Sequence, residues 1–100
     1  LTTTGAQNVA LGAYALDAET SGSFSTAVGY AALGTQNVGG GAVVHNTAVG
    51  YSAGLAVTIG LNNTLIGSLA GDALTDADSN IAVGKSALSL PQLQILTMWQ

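Results

Sequence analysis

Cysteine is absent from this chain, so neither a disulfide framework nor a thiolate metal site holds it together. Charge is almost absent too. One residue of the 100 is basic, Lys85, and five are acidic, for a formal net charge of −4. Proteins that grip a nucleic-acid backbone set several Lys or Arg against its phosphates, so nucleic acid is not expected as a partner. An anionic membrane surface is excluded on the same ground. No apolar run approaches the roughly 18 residues that span a bilayer, so membrane insertion is not expected either. An initiating Met and a basic n-region ahead of an apolar stretch are also lacking, so no signal peptide is visible and the chain reads as a fragment or a processed piece.

What is present is small and neutral. Hydrophobic residues make up 48% of the chain, mostly Ala, Val and Leu, so the surface has to be covered by Ser, Thr, Asn and Gly. Extracellular fibres have this composition more often than cytosolic enzymes do. The length allows one domain at most.

A nine-residue motif organises the chain. It occurs at 8–16, 25–33, 46–54, 63–71 and 80–88, with the consensus Asn-Thr-Ala-Val-Gly-x-x-Ala-(Leu/Gly). Its central glycines, Gly12, Gly29, Gly50, Gly67 and Gly84, lie 17, 21, 17 and 17 residues apart. A repeat of this regularity is the signature of a solenoid. Connectors of eight residues (17–24, 55–62, 72–79) and one of twelve (34–45) join the motifs.

Columns counted from the central glycine predict the local structure. The residue before it is always aliphatic: Leu11, Val28, Val49, Ile66, Val83. The one before that is Ala10, Ala27, Ala48 or Ala82, with Leu65 the exception. Three before is β-branched throughout: Val9, Thr26, Thr47, Thr64, Ile81. Three after is always alanine: Ala15, Ala32, Ala53, Ala70, Ala87. β-branched residues at alternate positions predict a strand, and a glycine at its end marks a tight bend or a close backbone approach. A helix is excluded by length, since glycine recurs at the centre of every short repeat. Each repeat is therefore expected to be one coil of an all-β roll, with successive coils in parallel pairing about 4.8 Å apart and five coils on the order of 24 Å long. Residues 1–88 form the roll, and residues 89–100 form a C-terminal cap or connector. That tail holds the only Pro, Trp and Met. Ser89 capping a helix from about Pro91 fits it, and so does a strand.

Stacking turns columns into ladders. Asn8, Asn46, Asn63 and Asn80, with Ser25 as the odd member, are expected to hydrogen-bond amide to amide along the column. Tyr30 and Tyr51 share a column and are expected to stack, whereas Tyr14 sits one position later and is expected to face away. Side chains this small bury little in one coil stack, so the alanine and glycine columns suggest a second surface packed on the first, supplied by self-association about the solenoid axis.

The Asn-Thr-Ala-Val-Gly-Tyr-x-Ala repeat resembles the head repeats of trimeric autotransporter adhesins and, more closely, related repeats in bacteriophage tail fibres and other virion fibres. The resemblance covers about residues 8 to 88. It implies a left-handed parallel β-roll of about five coils, intertwined as a homotrimer with a shared core. It also implies no catalytic activity, and no functional residues carry over because the motif is structural. The long and uneven connectors favour the phage-type variant over the compact adhesin head.

No chemistry emerges from the remaining residues. His45, the single histidine, lacks a recognisable nucleophile and carboxylate and reads as a solvent-facing or turn residue. Asp17 and Asp72 share a column but lie three coils apart, roughly 14 Å by the interstrand spacing, too far for a glycosidase pair. Asp76 and Asp78 on one connector read as solvated turn residues, and the acidic position of calcium-binding β-roll repeats is missing. Gly39-Gly40-Gly41 has neither the spacing nor the following Lys-Ser/Thr of a phosphate loop. It lies in the longest connector and is the candidate contact loop, with a tolerated insertion as the plainer account. Asn62-Asn63-Thr64 fits a glycosylation sequon.

The expected function is a non-enzymatic structural segment of a virion fibre or spike supporting host attachment. Its partners would be two identical chains, other fibre modules or virion proteins, and a host receptor or glycan, with no cofactor and no metal. The alternative is the head of a bacterial surface adhesin binding matrix or cells at the bacterial surface. An ice-binding solenoid is the third reading.

Overall fold

A computed structural model of the chain describes residues 7–89. Within them lie five short strands: β1 (Val9–Leu11), β2 (Thr26–Val28), β3 (Thr47–Val49), β4 (Thr64–Ile66) and β5 (Ile81–Val83). They form one parallel sheet in sequence order. Register is strict, with Val9 opposite Thr26, Thr26 opposite Thr47, Thr47 opposite Thr64 and Thr64 opposite Ile81. The chain is an all-β parallel solenoid that makes four full turns from β1 to β5. The expected tail helix or strand at 89–100, past Ser89, lies outside the described residues.

Each strand stops at its glycine for a reason visible in the backbone. Gly12, Gly29, Gly50, Gly67 and Gly84 have φ between +124° and +133°, a region essentially closed to side-chain-bearing residues. Space is missing as well. A Cβ on any of the first four would lie 2.6–2.8 Å from the backbone of the next glycine in the column. The N–H of Gly29, Gly50, Gly67 and Gly84 each donates at 2.7 Å to the carbonyl of Leu11, Val28, Val49 or Ile66 in the preceding coil. The glycine column is thus a backbone-to-backbone contact.

Beyond the glycine the chain makes three overlapping turns. In the first coil they are Ala15 N–H to Gly12, Asp17 N–H to Tyr14 and Glu19 N–H to Leu16, at 3.2, 3.3 and 3.3 Å. These turns place eight non-glycine residues at positive φ, among them Tyr14, Ala31, Ser52, Leu69 and Ser86 in one column; Gln7, Phe24, His45, Asn62 and Ser79, just before the motifs, share that conformation. A side chain there costs roughly 1–2 kcal/mol per residue. Coil-to-coil hydrogen bonds hold the conformation: Ala31, Ser52, Leu69 and Ser86 donate to Ala13, Tyr30, Tyr51 and Ser68 at 2.7–2.8 Å.

The alanine columns lie inside the single coil. Ala27 and Ala48 of the strands and Ala32, Ala53 and Ala70 of the turns are fully buried, packed with Leu16, Leu33, Leu65, Val57 and Leu74. The expectation that alanine and glycine columns form the surface for a second chain is therefore corrected. Small residues are needed because the two walls of one coil close on each other.

Leu65, the exception in its column, is matched by two further exceptions. A Cβ on Gly54 would lie 2.8 Å from a Leu65 methyl, and one on Gly71 would lie 2.6 Å from another. Where the other coils put Leu16, Leu33 or Leu88, these two have glycine, and the Leu65 side chain fills the volume from the opposite wall.

Gly50→Ala is expected to destabilise the fold well beyond Gly84→Ala, because both are strained in φ but among the described residues only Gly50 meets a neighbouring backbone, with no atom within 4 Å of a Cβ at Gly84. Urea unfolding of both variants reads the difference, and equal losses would contradict the close-approach account. Leu65→Ala is expected to cost about 2–5 kcal/mol. Gly71→Ala is expected to cost less in the Leu65→Ala background than alone, a coupling of about 0.5–3 kcal/mol in a double-mutant cycle.

Candidate functional site

Two features stand out from the regular stack: an uncharged face on the sheet and a polar node inside the coil. The face follows from strand alternation, because the middle residue of β2 to β5 points into the core and its neighbours point out. The outward columns are Val9, Thr26, Thr47, Thr64, Ile81 and Leu11, Val28, Val49, Ile66, Val83. None is charged and seven are aliphatic. Ile81, Val83 and Leu11 are 76%, 67% and 66% exposed. Soluble chains rarely leave so continuous an apolar surface uncovered unless something binds it.

Aromatic side chains stack between coils. The rings of Tyr30 and Tyr51 are 5.6 Å apart and nearly parallel, as their shared column predicts. Tyr14 does not face away: its ring meets Tyr30 edge-on at 5.5 Å and 84°. Its own left-handed φ of 62° accompanies this, although it starts one position further along the chain. His45 is exposed, as expected, and stacks on Phe24 at 5.2 Å with an interplanar angle of 11°.

The polar node begins with the asparagine column. The ladder exists, but most of its rungs join a side chain to a backbone. Asn8 Oδ1 accepts from Ser25 N–H, Asn46 Oδ1 from Asn63 N–H and Asn63 Oδ1 from Asn80 N–H, at 2.8–2.9 Å. Each Nδ2 reaches a connector carbonyl: Asn8 to Gly22, Asn46 to Gly60, Asn63 to Ala77. Only Asn80 to Asn63 is amide to amide, at 3.1 Å. Ser25 is too short to span the gap, and Gln36 fills it. The Gln36 amide donates to Ser25 Oγ at 3.0 Å and to Glu19 Oε1 at 2.9 Å, while its oxygen accepts from Asn46 Nδ2 at 2.7 Å.

Glu19 is fully buried, and among the described residues no cation lies beside it. Its Oε2 accepts from the N–H groups of Thr20, Ser21 and Gly22 at 3.1, 3.2 and 2.8 Å. Its Oε1 accepts from Val38 N–H at 3.2 Å as well as from Gln36. Burial pushes this carboxyl up, but the donated bonds of Gly22, Gln36, Val38 and Ser21 outweigh it and hold the group below its ordinary range. Successive backbone N–H groups forming a concave anion nest are a known arrangement; here the chain's own carboxylate fills it. Among the described residues no buried side-chain nitrogen or oxygen lacks a partner.

Glu19 and Gln36 were not singled out from the sequence, although a signal exists. Each lies seven residues after its central glycine, the column that Val57 and Leu74 occupy in the next two coils. A column that is apolar and interior in two coils is interior in the others.

The remaining candidates fall into place. Gly39, Gly40 and Gly41 are exposed, and among the described residues nothing lies within 4 Å of a Cβ at any of them, so the long connector does reach outward. Its base is tied by the Ser23–Val43 bridge and by Ser21, whose Oγ accepts from Gly41 N–H at 3.3 Å. Asp78 accepts from Leu61 N–H at 2.8 Å, fixing the neighbouring connector. Asp17 and Asp76 are exposed. Among the described residues no three His, Cys, Asp or Glu side chains converge as metal ligands.

Compared with protein-family models, curated proteins and solved structures, the chain finds no match.

Gln36→Ala removes one partner from each of Glu19, Ser25 and Asn46 inside the coil. The expected loss is about 3 kcal/mol or more, since buried polar groups left unsatisfied cost about 1–3 kcal/mol each and charged ones more. Urea unfolding followed by circular dichroism checks it, and a loss like that of a surface substitution would contradict the node's role.

Proposed function

We propose that this chain is a non-enzymatic structural segment of a homotrimeric fibre or spike on a virion, holding or presenting a host-attachment module. Three copies turn their outward sheet faces toward a common axis, so that the aliphatic columns make the shared core and the coils wind left-handed. The observation that carries this reading is the uncharged sheet face, unpartnered among the described residues and continuous over all five strands. A rotation that closes on itself buries such a face completely, whereas an open arrangement leaves edges. The likeness of the motif to fibre and adhesin repeats supports three-fold symmetry and the handedness. Other fibre modules or virion proteins would continue along the axis, and the Gly39–Gly41 loop, directed outward, is where a host receptor or glycan would meet the segment. A bacterial adhesin head is the alternative within the same architecture.

One observation favours a second reading from another class. Thr26, Thr47 and Thr64 stand in register beside Val28, Val49 and Ile66 on one outward face, an arrangement suited to ordering water as in an ice-binding solenoid. Val9 and Ile81 interrupt the threonine column at its two ends.

Light scattering on a sizing column separates the readings. A mass near three times 9.8 kDa is expected. Val49→Asp, at the middle of the face, is expected to abolish it by setting three carboxylates around one axis. A stable monomer at micromolar concentration, together with measurable thermal hysteresis, would replace the fibre reading with the ice-binding one.

A further inference from the structure

The Glu19 node makes a connection that the repeat does not require. The third and fourth coils close with apolar residues at the same position, Val57 and Leu74, and the second with a neutral amide, Gln36, so a carboxylate is not needed to complete a coil. Its five donors come from two separate segments: Thr20, Ser21 and Gly22 on its own connector, Gln36 and Val38 on the next. The second segment is the one that carries the four extra residues and the exposed Gly39–Gly41 loop. From Val38 onward it is fastened to the first connector at four further points. Ser21 Oγ donates to Val38 C=O at 3.4 Å and accepts from Gly41 N–H; Ser23 N–H donates to Ala42 C=O and Val44 N–H to Ser23 C=O, both at 3.0 Å.

We propose that the Glu19 carboxylate is an acid-sensitive latch on this loop: ionised, it clamps the two connectors together and presents Gly39–Gly41 in one conformation, and protonated, it releases them.

The chemistry is a single proton taken up from solvent on one carboxylate oxygen. All five groups that face the carboxylate are N–H donors. A protonated oxygen turns its own O–H toward N–H donors and loses acceptor capacity, and the Gln36 oxygen is turned away toward Asn46 Nδ2. The two connectors carry two other titratable groups, Asp17 and His45. Both are exposed, and neither is bonded to Glu19 among the described residues. Among the described residues no neighbouring cation offsets the change. The depressed position of the carboxyl gives the direction. A group held below its ordinary value contributes stability that is complete above that value, 4.5, and is lost as pH falls through the lower folded one. The latch is closed near neutrality and opens in acid. It acts within one chain, so it stands whether or not the chain trimerises.

The test is an NMR titration of the full chain from about pH 7 to about pH 3, spanning the carboxylate range. The Gly22 and Val38 amide protons and the Gln36 side-chain amide are expected to titrate together, below the midpoint of an ordinary Glu. Over the same range the exchange protection of the Ser23 and Val44 amides, corrected for intrinsic rates, is expected to fall about tenfold or more, while that of the Gly67 amide between β3 and β4 holds. Glu19→Gln is expected to show the low protection already at neutral pH, with no acid step; Asp17→Asn keeps the wild-type profile. Should Glu19→Gln not fold, the wild-type titration decides. The proposal is overturned if the three reporter groups do not titrate together, if Ser23 and Val44 protection stays flat while they do, or if the step moves with Asp17→Asn.

Discussion

The whole stack depends on one approach of backbone to backbone. At the central glycines of the first four coils, Gly12, Gly29, Gly50 and Gly67, the next coil passes so close that a single methyl group would collide with a peptide carbonyl. This contact sets the distance between coils, and a one-residue slip would put a side chain into it at every level. Register is thereby specified by exclusion, without any large side chain interlocking with another. Strict register then makes columns meaningful, because each position faces its own kind above and below. The asparagine amides, the tyrosine rings and the alanines can work as ladders only because the glycines have fixed the pitch.

The interior is graded along the stack. Toward the first coils the column seven residues after the glycine is Glu19 and Gln36, and toward the last it is Val57 and Leu74. Polar contents demand complete hydrogen bonding, and the first two coils achieve it with backbone N–H groups drawn from the connectors. Apolar contents demand volume, and the later coils achieve it by exchanging glycine and leucine across the coil. The two ends therefore owe their stability to different physics, with directional bonds to a charge at one and close packing at the other.

The architecture was legible in the sequence because glycine spacing and β-branched columns both report directly on backbone geometry. The strands fall at the three positions that the Thr-Ala-Val columns marked, paired in the expected register. The turns were harder to read. Leu16, Leu33, Ala31 and Tyr14 sit at positive φ, and nothing about leucine, alanine or tyrosine announces that conformation; it is imposed by hydrogen bonds from the coil next door. The Tyr14 ring was misplaced for this reason, since an offset of one residue in the chain did not carry it away from Tyr30. The alanine columns were read as a contact between chains because the small size of the residues was visible and the narrowness of the coil was not. Glu19 went unnoticed because charge suggests solvent, and only its place in an otherwise apolar column contradicts that.

Leu65 with its two glycines has a bearing on how such a chain can change length over generations. Repeat arrays commonly grow and shrink by copying or dropping a single unit. Here a duplicated fourth coil would set a second leucine opposite a glycine already filled, and a deleted one would leave Gly54 facing an alanine across an empty gap. The heritable module in this part of the chain is therefore Leu65 with both of its glycines, Gly54 one coil back and Gly71 in its own coil, and the array is free to vary only where alanine faces leucine in the ordinary pattern.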